Sequence, residues 1–133
     1  MGLRRKSREL ALQALYQADM CNLNSADISL LSDNFRVAQK AIPYANVLLD
    51  GIRSNKDEID RMITDNAKNW RVDRMSIIDR NLIRIGIYEL VFQKEIPSSI
   101  IINESIEIAK RYGTDDSSSF INGILDAIRD GKK

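Results

Sequence analysis

The chain contains no histidine and one cysteine among its 133 residues, and these absences exclude several kinds of active site. Without imidazole there is no Ser-His-Asp or Cys-His arrangement and no histidine metal ligand, and one thiol cannot build a thiolate zinc site. The glycine patterns of phosphate-binding loops, GxxxxGK[ST] and GxGxxG, are also missing. An enzyme would have to rely on carboxylates, lysine or tyrosine. We therefore expect no histidine- or cysteine-based catalysis, no cofactor and no metal.

Long apolar runs are absent as well, since none approaches the roughly 20 residues that span a bilayer. The start, MGLRRKS, has basic residues but no apolar segment after them, so we expect no signal peptide. Cys21 has no second cysteine to pair with, which fits a reducing compartment. These features predict a cytoplasmic protein, and its length and 44% apolar content predict one folded domain over residues 1–133.

The stretch from residue 77 to residue 92 carries ten large apolar residues out of sixteen. Sixteen residues without a turn signal are too many for a strand, so the stretch predicts a helix. Ser76 is suited to cap its start, and Pro97 prevents its continuation. On this helix the apolar residues form two arcs, Ile78, Leu82, Ile85 and Phe92 on one side and Ile83, Ile87 and Leu90 on the other. We predict a central helix that is buried on two sides.

Apolar residues recur at helical spacing in further segments, which gives an all-α fold of about seven helices. Pro43 suits the first turn of one helix, and Asn55 followed by Glu58 suits a capping box at the start of the next. Gly113 is predicted to end a helix in the left-handed conformation. Besides the central helix, the predicted helices cover residues 4–20, 26–34, 43–54, 56–67, 100–112 and 117–129.

Four cations without an acid open the first helix, namely Arg4, Arg5, Lys6 and Arg8. Cations at a helix N-terminus oppose the helix dipole, so we interpret them as serving a partner, with a solvated, frayed end as the alternative. Tyr16 lies on a side of this helix that Arg5 and Arg8 can share. Guanidinium groups with an aromatic ring suit single-stranded nucleic acid, because arginine pairs with phosphates and a base stacks on the ring. The alternative for Tyr16 is a place at the rim of the core.

A polar segment, TDDSSSF, precedes the last helix. Asp116 and Ser117 are suited to cap that helix, whose first N–H groups need oxygen acceptors. The same helix start also suits an anion or a nucleotide, with Phe120 one turn further in as a stacking ring. The paired aspartates would also suit a hydrolase, but nothing in the sequence completes such a site.

Charged residues of the central helix are predicted to have structural roles. Glu89 falls within an apolar arc, so we expect it to pair with an arginine of the first helix. Arg80 and Arg84 are spaced by four residues and are predicted to form a basic strip, while Asp79 points elsewhere.

Three stretches resemble the NusB family of bacterial transcription antitermination factors: RRKSRELALQALYQ at residues 4–17, WRVDRMSIIDRNLIRIGIYEL at 70–90 and INESIEIAKRYGTDDSSSFINGILD at 102–126. They cover nearly half of the chain, and residues 22–68 carry little of the resemblance. The resemblance implies an all-α fold of two packed helical bundles and no catalysis. It also implies binding to the boxA element of nascent single-stranded RNA together with NusE, the small-subunit ribosomal protein that doubles as a Nus factor. Such factors help RNA polymerase to read through terminators, especially in ribosomal RNA operons.

The resemblance also implies roles for individual residues. Asp79 is implied to face the ribosomal protein. Ser7 stands where the family usually has alanine, and Ser118 and Ser119 stand where longer polar or basic residues are common, which predicts a weaker RNA contact at the last helix. The residues implied to lie at the RNA are Arg4, Arg5, Lys6, Arg8, Tyr16, Asp116, Ser117 and Phe120.

Two other classes of function fit the same residues. A similar helical module is appended to some RNA cytosine methyltransferases as an accessory domain, but the chain ends at Lys133 and we expect no cofactor-binding domain to follow. The other class is a helical adaptor that does not bind RNA, or a homodimer that buries the basic face. Size-exclusion chromatography with and without RNA separates these alternatives.

Overall fold

The computed structural model describes residues 2–22, 26–27, 39–67 and 71–131. The predicted all-α fold is confirmed, since these residues form α-helices and two 3-10 turns, at 39–41 and Val72–Arg74, and contain no strand. The helix predicted over residues 26–34 falls mostly outside the described residues. None of the described helices has the length and apolar content needed to cross a membrane. The helices are α1 (Gly2–Met20), α2 (Ile42–Ser54), α3 (Lys56–Asn66), α4 (Ile77–Phe92), α5 (Ser98–Tyr112) and α6 (Ser117–Gly131).

Helix α4 is the centre of the fold, as its two apolar arcs predict. It packs against each of the other five α-helices, and every residue from Asn81 to Leu90 is buried. Ser76 caps its start, because the Ser76 Oγ accepts a hydrogen bond from the backbone N–H of Asp79 at 3.0 Å. Pro97 occupies the N-cap position of α5, so residues 93–97 form the connection between the two helices.

The remaining helices form two groups around α4, which confirms the predicted pair of bundles. Helices α1 and α2 pack together and on α4, and α5 and α6 pack together on the same helix, while α3 contacts both α4 and α6. Each buried leucine or isoleucine contributes about 1.5 to 3 kcal/mol, so this shared core holds the buried middle of α1 in place. Its largest fully buried side chains are Leu10, Leu12, Leu48, Ile59, Ile63, Leu82, Ile83, Ile85, Ile87, Ile101, Ile108 and Ile121.

Two predicted helix caps are wrong. Gly113 is not left-handed but has φ −98° and ψ −167°. Close packing explains the glycine, because a Cβ there would lie 2.5 Å from the Oγ of Ser117, which accepts the N–H of Thr114 at 2.9 Å. Asn55 does not cap α3, because its side-chain amide donates instead to the carbonyl of Gly51 at 2.8 Å.

The arginines of α4 do not form an exposed basic strip. Arg84 is buried, and its Nε and Nη2 donate to the carboxylate of Asp60 at 2.8 and 3.0 Å. Arg80 and Asn81 both donate to Asp19 at the end of α1, at 3.1 and 2.8 Å. Burial alone would raise the pKa of Asp19, but the hydrogen bond from Asn81 and the charges of Arg80 and Arg84 bring it below its ordinary value. These groups therefore tie α1 and α3 to α4.

Candidate nucleic-acid interface

The four cations of α1 lie in very different surroundings. Arg4 and Lys6 are exposed, Arg5 is half-buried, and Arg8 is only 3% exposed. The first turn of α1 carries no acid, and the carboxylates that pair with Arg5 and Arg8 come from other helices. Helix α1 packs on α2, α4 and α5, and this packing determines which of the four charges face solvent.

Arg8 is part of the protein interior. Its Nε donates to both carboxylate oxygens of Glu89, at 2.9 and 3.0 Å, and its Nη1 lies 3.5 Å from the Oε1 of Glu104. Glu89 is 1% exposed, so its predicted pairing with an arginine of the first helix is confirmed. The expected contact of Arg8 with the RNA backbone stays a prediction, and moving Arg8 to a phosphate would leave Glu89 buried without its cation.

Arg5 is paired but remains partly accessible. Its Nε and Nη2 donate to the two oxygens of Glu104 on α5, at 2.9 and 2.6 Å, and 36% of its side chain is exposed. The hydrogen bond from Arg5, with the charge of Arg8, holds the pKa of Glu104 below its ordinary value. Glu104 is therefore ionised at neutral pH and neutralises the charge of Arg5. As a result, Arg5 attracts a phosphate less strongly than an unpaired arginine would.

Arg4 is exposed and lies against an aromatic ring. Its guanidinium carbon is 3.8 Å from the centroid of the Tyr44 ring on α2, which is a cation–π contact. The hydroxyl of Tyr44 donates to the Oε2 of Glu89. Burial, together with the hydrogen bond to Glu89, raises the pKa of Tyr44, so the phenol keeps its proton. Within the described residues no carboxylate pairs with Arg4.

Ser7 faces the interior and connects α1 to the turn before α2. It is buried, and its Oγ donates to the carbonyl of Ala41 at 2.7 Å, so its replacement of the usual alanine does not change the outer surface of α1. Lys40, the residue before Ala41, is exposed, and this hydrogen bond places its backbone close to Ser7 of α1. Lys40 was not predicted as a site residue, because an isolated lysine far from α1 in the sequence gives no local signal.

A cleft of about 200 Å³ lies between the start of α4 and the start of α6. It brings Asp79, predicted to face the ribosomal protein, together with Asp116 and Phe120, predicted to face RNA. The Oδ1 of Asp79 is buried and has no hydrogen-bond partner in the described part of the chain. The cleft is lined by Arg74, Met75, Ser76, Asp79, Asp116 and Phe120.

Ser117 belongs to the helix cap and not to the surface. It is buried, and its Oγ accepts the backbone N–H of Thr114 at 2.9 Å, as the N3 residue of a capping box does. The interpretation of Ser117 as a cap residue is confirmed. The expected contact of Ser117 with RNA stays a prediction, and in this structure its hydroxyl is engaged and shielded from solvent.

Tyr16 lies at the rim of the core and is 39% exposed. With a rise of 1.5 Å per helical residue, it lies about 18 Å along α1 from Arg4. It forms one wall of a groove that also includes Ile78. Because Ile78 directly precedes Asp79 of the cleft, both depressions border the first turn of α4. The groove has a volume of about 470 Å³ and is lined by Leu12, Gln13, Tyr16, Ile78 and Tyr112.

These features define an all-helical protein that carries a basic helix end, an acidic cleft and an apolar groove. Comparison with known proteins identifies the family to which this all-helical protein belongs. The model of the NusB family matches residues 5–130. The transcription antitermination protein NusB of Myxococcus xanthus is 43% identical over 133 residues, which cover 96% of this chain and 95% of that protein. This chain belongs to the NusB family.

Solved structures agree with this assignment. NusB of T. maritima has a TM-score of 0.83 and 38% identity, covering 96% of this chain and 90% of that one. A structure of the antitermination factors NusB and NusE in complex with dsRNA has a TM-score of 0.82 and 26% identity, covering 98% of each chain. The predicted family is confirmed. Its members are transcription antitermination factors and not enzymes, in agreement with the prediction from the sequence.

Proposed function

We propose that this protein is a transcription antitermination factor that binds boxA-like single-stranded RNA together with ribosomal protein NusE. In this role it joins the antitermination complex of RNA polymerase and promotes read-through of terminators in ribosomal RNA operons. The observation that carries the proposal is membership of the NusB family over residues 5–130. The fold shared with the structure of NusB and NusE with dsRNA supports it. Helices packed around one central helix support a single domain, which we place in the cytoplasm, where nascent RNA is made.

The RNA contact in this proposal begins at the basic end of α1. Arg4, Lys6 and Lys40 are exposed there, and none of them pairs with a carboxylate of the described residues. Arg5 adds the exposed part of its guanidinium. Exposed cations bind phosphates, and the accessible ring of Tyr16 further along α1 suits a base. We therefore place the strand along α1, from the basic end toward Tyr16.

Salt dependence tests this arrangement. Four phosphate contacts from the cations of α1 would give a slope of log K against log salt of about −3 for single-stranded RNA. With Arg8 buried and Arg5 neutralised, we expect about three contacts, from Arg4, Lys6 and Lys40, and a slope of about −2. Fluorescence anisotropy with a labelled boxA-like oligonucleotide measures the slope between about 50 and about 200 mM salt. A slope near zero would overturn the electrostatic mechanism.

Charge-removal variants test the location of the RNA. The double variant Arg4→Ala/Lys6→Ala is expected to make the slope shallower by about 1.4, which is about 0.7 for each lost contact. The matched control is Arg53→Ala/Arg61→Ala, which removes two exposed arginines near the junction of α2 and α3. The control is expected to leave the slope unchanged. Equal losses in both double variants would show that RNA is not localised at α1.

We assign the cleft at the start of α4 to NusE. Asp79 and Asp116 give it negative charge that repels phosphate and attracts a cationic side chain of a protein, even with Arg74 at its edge. The buried Oδ1 of Asp79 lacks a donor, and an incoming donor would relieve the cost of leaving such an oxygen unpaired. This reasoning moves Asp116 from the RNA to the protein partner. Phe120 stays in the proposal as a stacking ring for a base beside the partner.

Co-purification tests the assignment of the cleft. Tagged chain should retain NusE, and the pair should bind RNA more tightly than either component alone. Asp79→Lys is expected to abolish the retention of NusE while leaving the RNA affinity of the isolated chain within about twofold. Asp50→Lys, an exposed aspartate on α2, is the control. Normal retention of NusE by Asp79→Lys would exclude the cleft. A dimer that persists with RNA bound would speak against the alternative of a homodimer that buries the basic face.

A further inference from the structure

The contact between Arg4 and Tyr44 joins the basic end of α1 to α2. The guanidinium carbon lies 3.8 Å from the centroid of the ring, which is within the distance of close stacking. Arg4 is exposed, so the contact does not bury its charge. An exposed arginine on a helix end normally samples many rotamers, and binding a ligand then requires that this freedom be lost.

Tyr44 is itself fixed from two directions. Its hydroxyl donates to the Oε2 of Glu89, and Glu89 is held by Arg8 in the interior. Its backbone follows Ala41, whose carbonyl accepts the hydroxyl of Ser7 on α1 at 2.7 Å. Both contacts connect Tyr44 to α1, one through Glu89 and Arg8 and the other through Ala41 and Ser7. The ring therefore stands at a defined position relative to the first turn of α1.

We propose that Tyr44 is a positioning residue for RNA binding, whose ring holds the Arg4 guanidinium in one orientation on the surface. The proposal rests on the proposed function, because it assumes that Arg4 contacts RNA. An ordered guanidinium keeps its N–H edges for a phosphate, and its outer face is a plane on which a base stacks. Tyr44 is absent from the three stretches that carry the family resemblance, and only the fold places it beside Arg4.

The arrangement predicts a specific pattern of affinities. Tyr44→Leu removes the ring and retains every charge, so RNA affinity should fall about two- to fivefold, the range of an exposed cation–π contact. The salt slope should stay at its wild-type value, because no phosphate contact has lost its charge. Tyr44→Phe removes the hydrogen bond to Glu89 but keeps the ring on α2 beside Arg4. Its RNA affinity should therefore stay within about twofold of that of wild type.

A double-mutant cycle separates positioning from stability. In the Arg4→Ala background, Tyr44→Leu should have no further effect on RNA affinity, since no guanidinium remains to be oriented. Urea unfolding of each variant verifies that the protein is folded in the binding assay. The matched control for loss of one charge is Arg61→Ala on α3, which should leave RNA affinity unchanged.

Each outcome of this cycle decides a different question. If Arg4→Ala binds RNA as tightly as wild type, Arg4 is not an RNA contact, and that part of the proposed function fails together with this inference. If Arg4→Ala weakens binding but Tyr44→Leu does not, the positioning role alone is overturned. It is also overturned if Tyr44→Leu weakens binding equally with and without Arg4, or if Tyr44→Phe behaves like Tyr44→Leu.

Discussion

Replacing Arg8 by methionine should destabilise the fold, although the sequence presents Arg8 as one of four equivalent surface cations. In the structure Arg8 is 3% exposed and donates to both oxygens of Glu89, which is 1% exposed. Methionine fills part of the same space with an apolar chain but leaves the carboxylate of Glu89 buried without its cation. Among the described residues, the hydroxyl of Tyr44 would remain as the one donor to Glu89.

The magnitude follows from this geometry. Removing one partner of a buried ion pair costs about 3 to 5 kcal/mol, because the other charge stays in a low-dielectric interior. The remaining hydrogen bond from Tyr44 offsets part of that cost, so we expect about 3 kcal/mol for Arg8→Met. In a domain of this size 1 kcal/mol shifts the melting temperature by about 3 to 5 °C. Arg8→Met should therefore melt about 10 to 15 °C below wild type.

Urea and thermal unfolding followed by circular dichroism test this prediction. Glu89→Leu alone should lose a similar amount, whereas Arg8→Met/Glu89→Leu should recover most of the loss, because no buried charge is then left unpaired. Arg61→Met, an exposed arginine on α3, is the control and should change stability by less than about 0.5 kcal/mol. The reasoning is refuted if Arg8→Met is as stable as the control, or if the double variant loses the sum of the two single losses.

Three further predictions concern stability. The pKa of Glu104 is lowered, so the stabilisation that its carboxylate gives is complete above the ordinary carboxyl pKa of about 4.3 and is lost as the pH falls through the folded-state pKa. Glu104→Gln should therefore flatten the dependence of the urea midpoint on pH in that acidic range. An unchanged dependence would contradict this. Gly51→Ala should lose about 1 to 3 kcal/mol, because its Cβ would collide with the ring of Tyr88. Gly123→Ala, which meets nothing within 4 Å, should not be destabilised, and equal losses at both glycines would exclude the collision. Ser76→Ala should lose about 1 kcal/mol of unfolding free energy with the cap of α4, and no change in urea midpoint would exclude that cap.

The sequence predicted best those features that depend on neighbouring residues. The two apolar arcs of α4 follow from the 3.6-residue period, and the structure buries this helix on all sides. Ser76 and Pro97 act at the helix ends for reasons of local hydrogen bonding and backbone geometry. Glu89 was recognisable because a carboxylate within an apolar arc requires a partner. Local rules failed at Gly113, where the contact with Ser117 and not the turn conformation selects glycine.

The candidate site depended on contacts that the sequence does not contain locally. Arg5 and Arg8 have the same chemistry as Arg4, yet their carboxylate partners lie 81 to 99 residues away in the chain. No window of α1 distinguishes the arginine that is buried from the one that is exposed. Lys40 joins the basic end of α1 only through the packing of the turn before α2.

The ion pairs of Arg5 and Arg8 also change how the cations at the start of α1 are interpreted. Four cations there oppose the helix dipole, and an uncompensated charge at a helix end suggests a role outside the fold. Glu104 and Glu89 compensate Arg5 and Arg8, and the negative face of Tyr44 partly compensates Arg4. Among the described residues none similarly offsets Lys6, which is exposed. The argument from the dipole therefore applies most strongly to Lys6, and single-residue replacement there should reduce RNA affinity without reducing the stability of the fold.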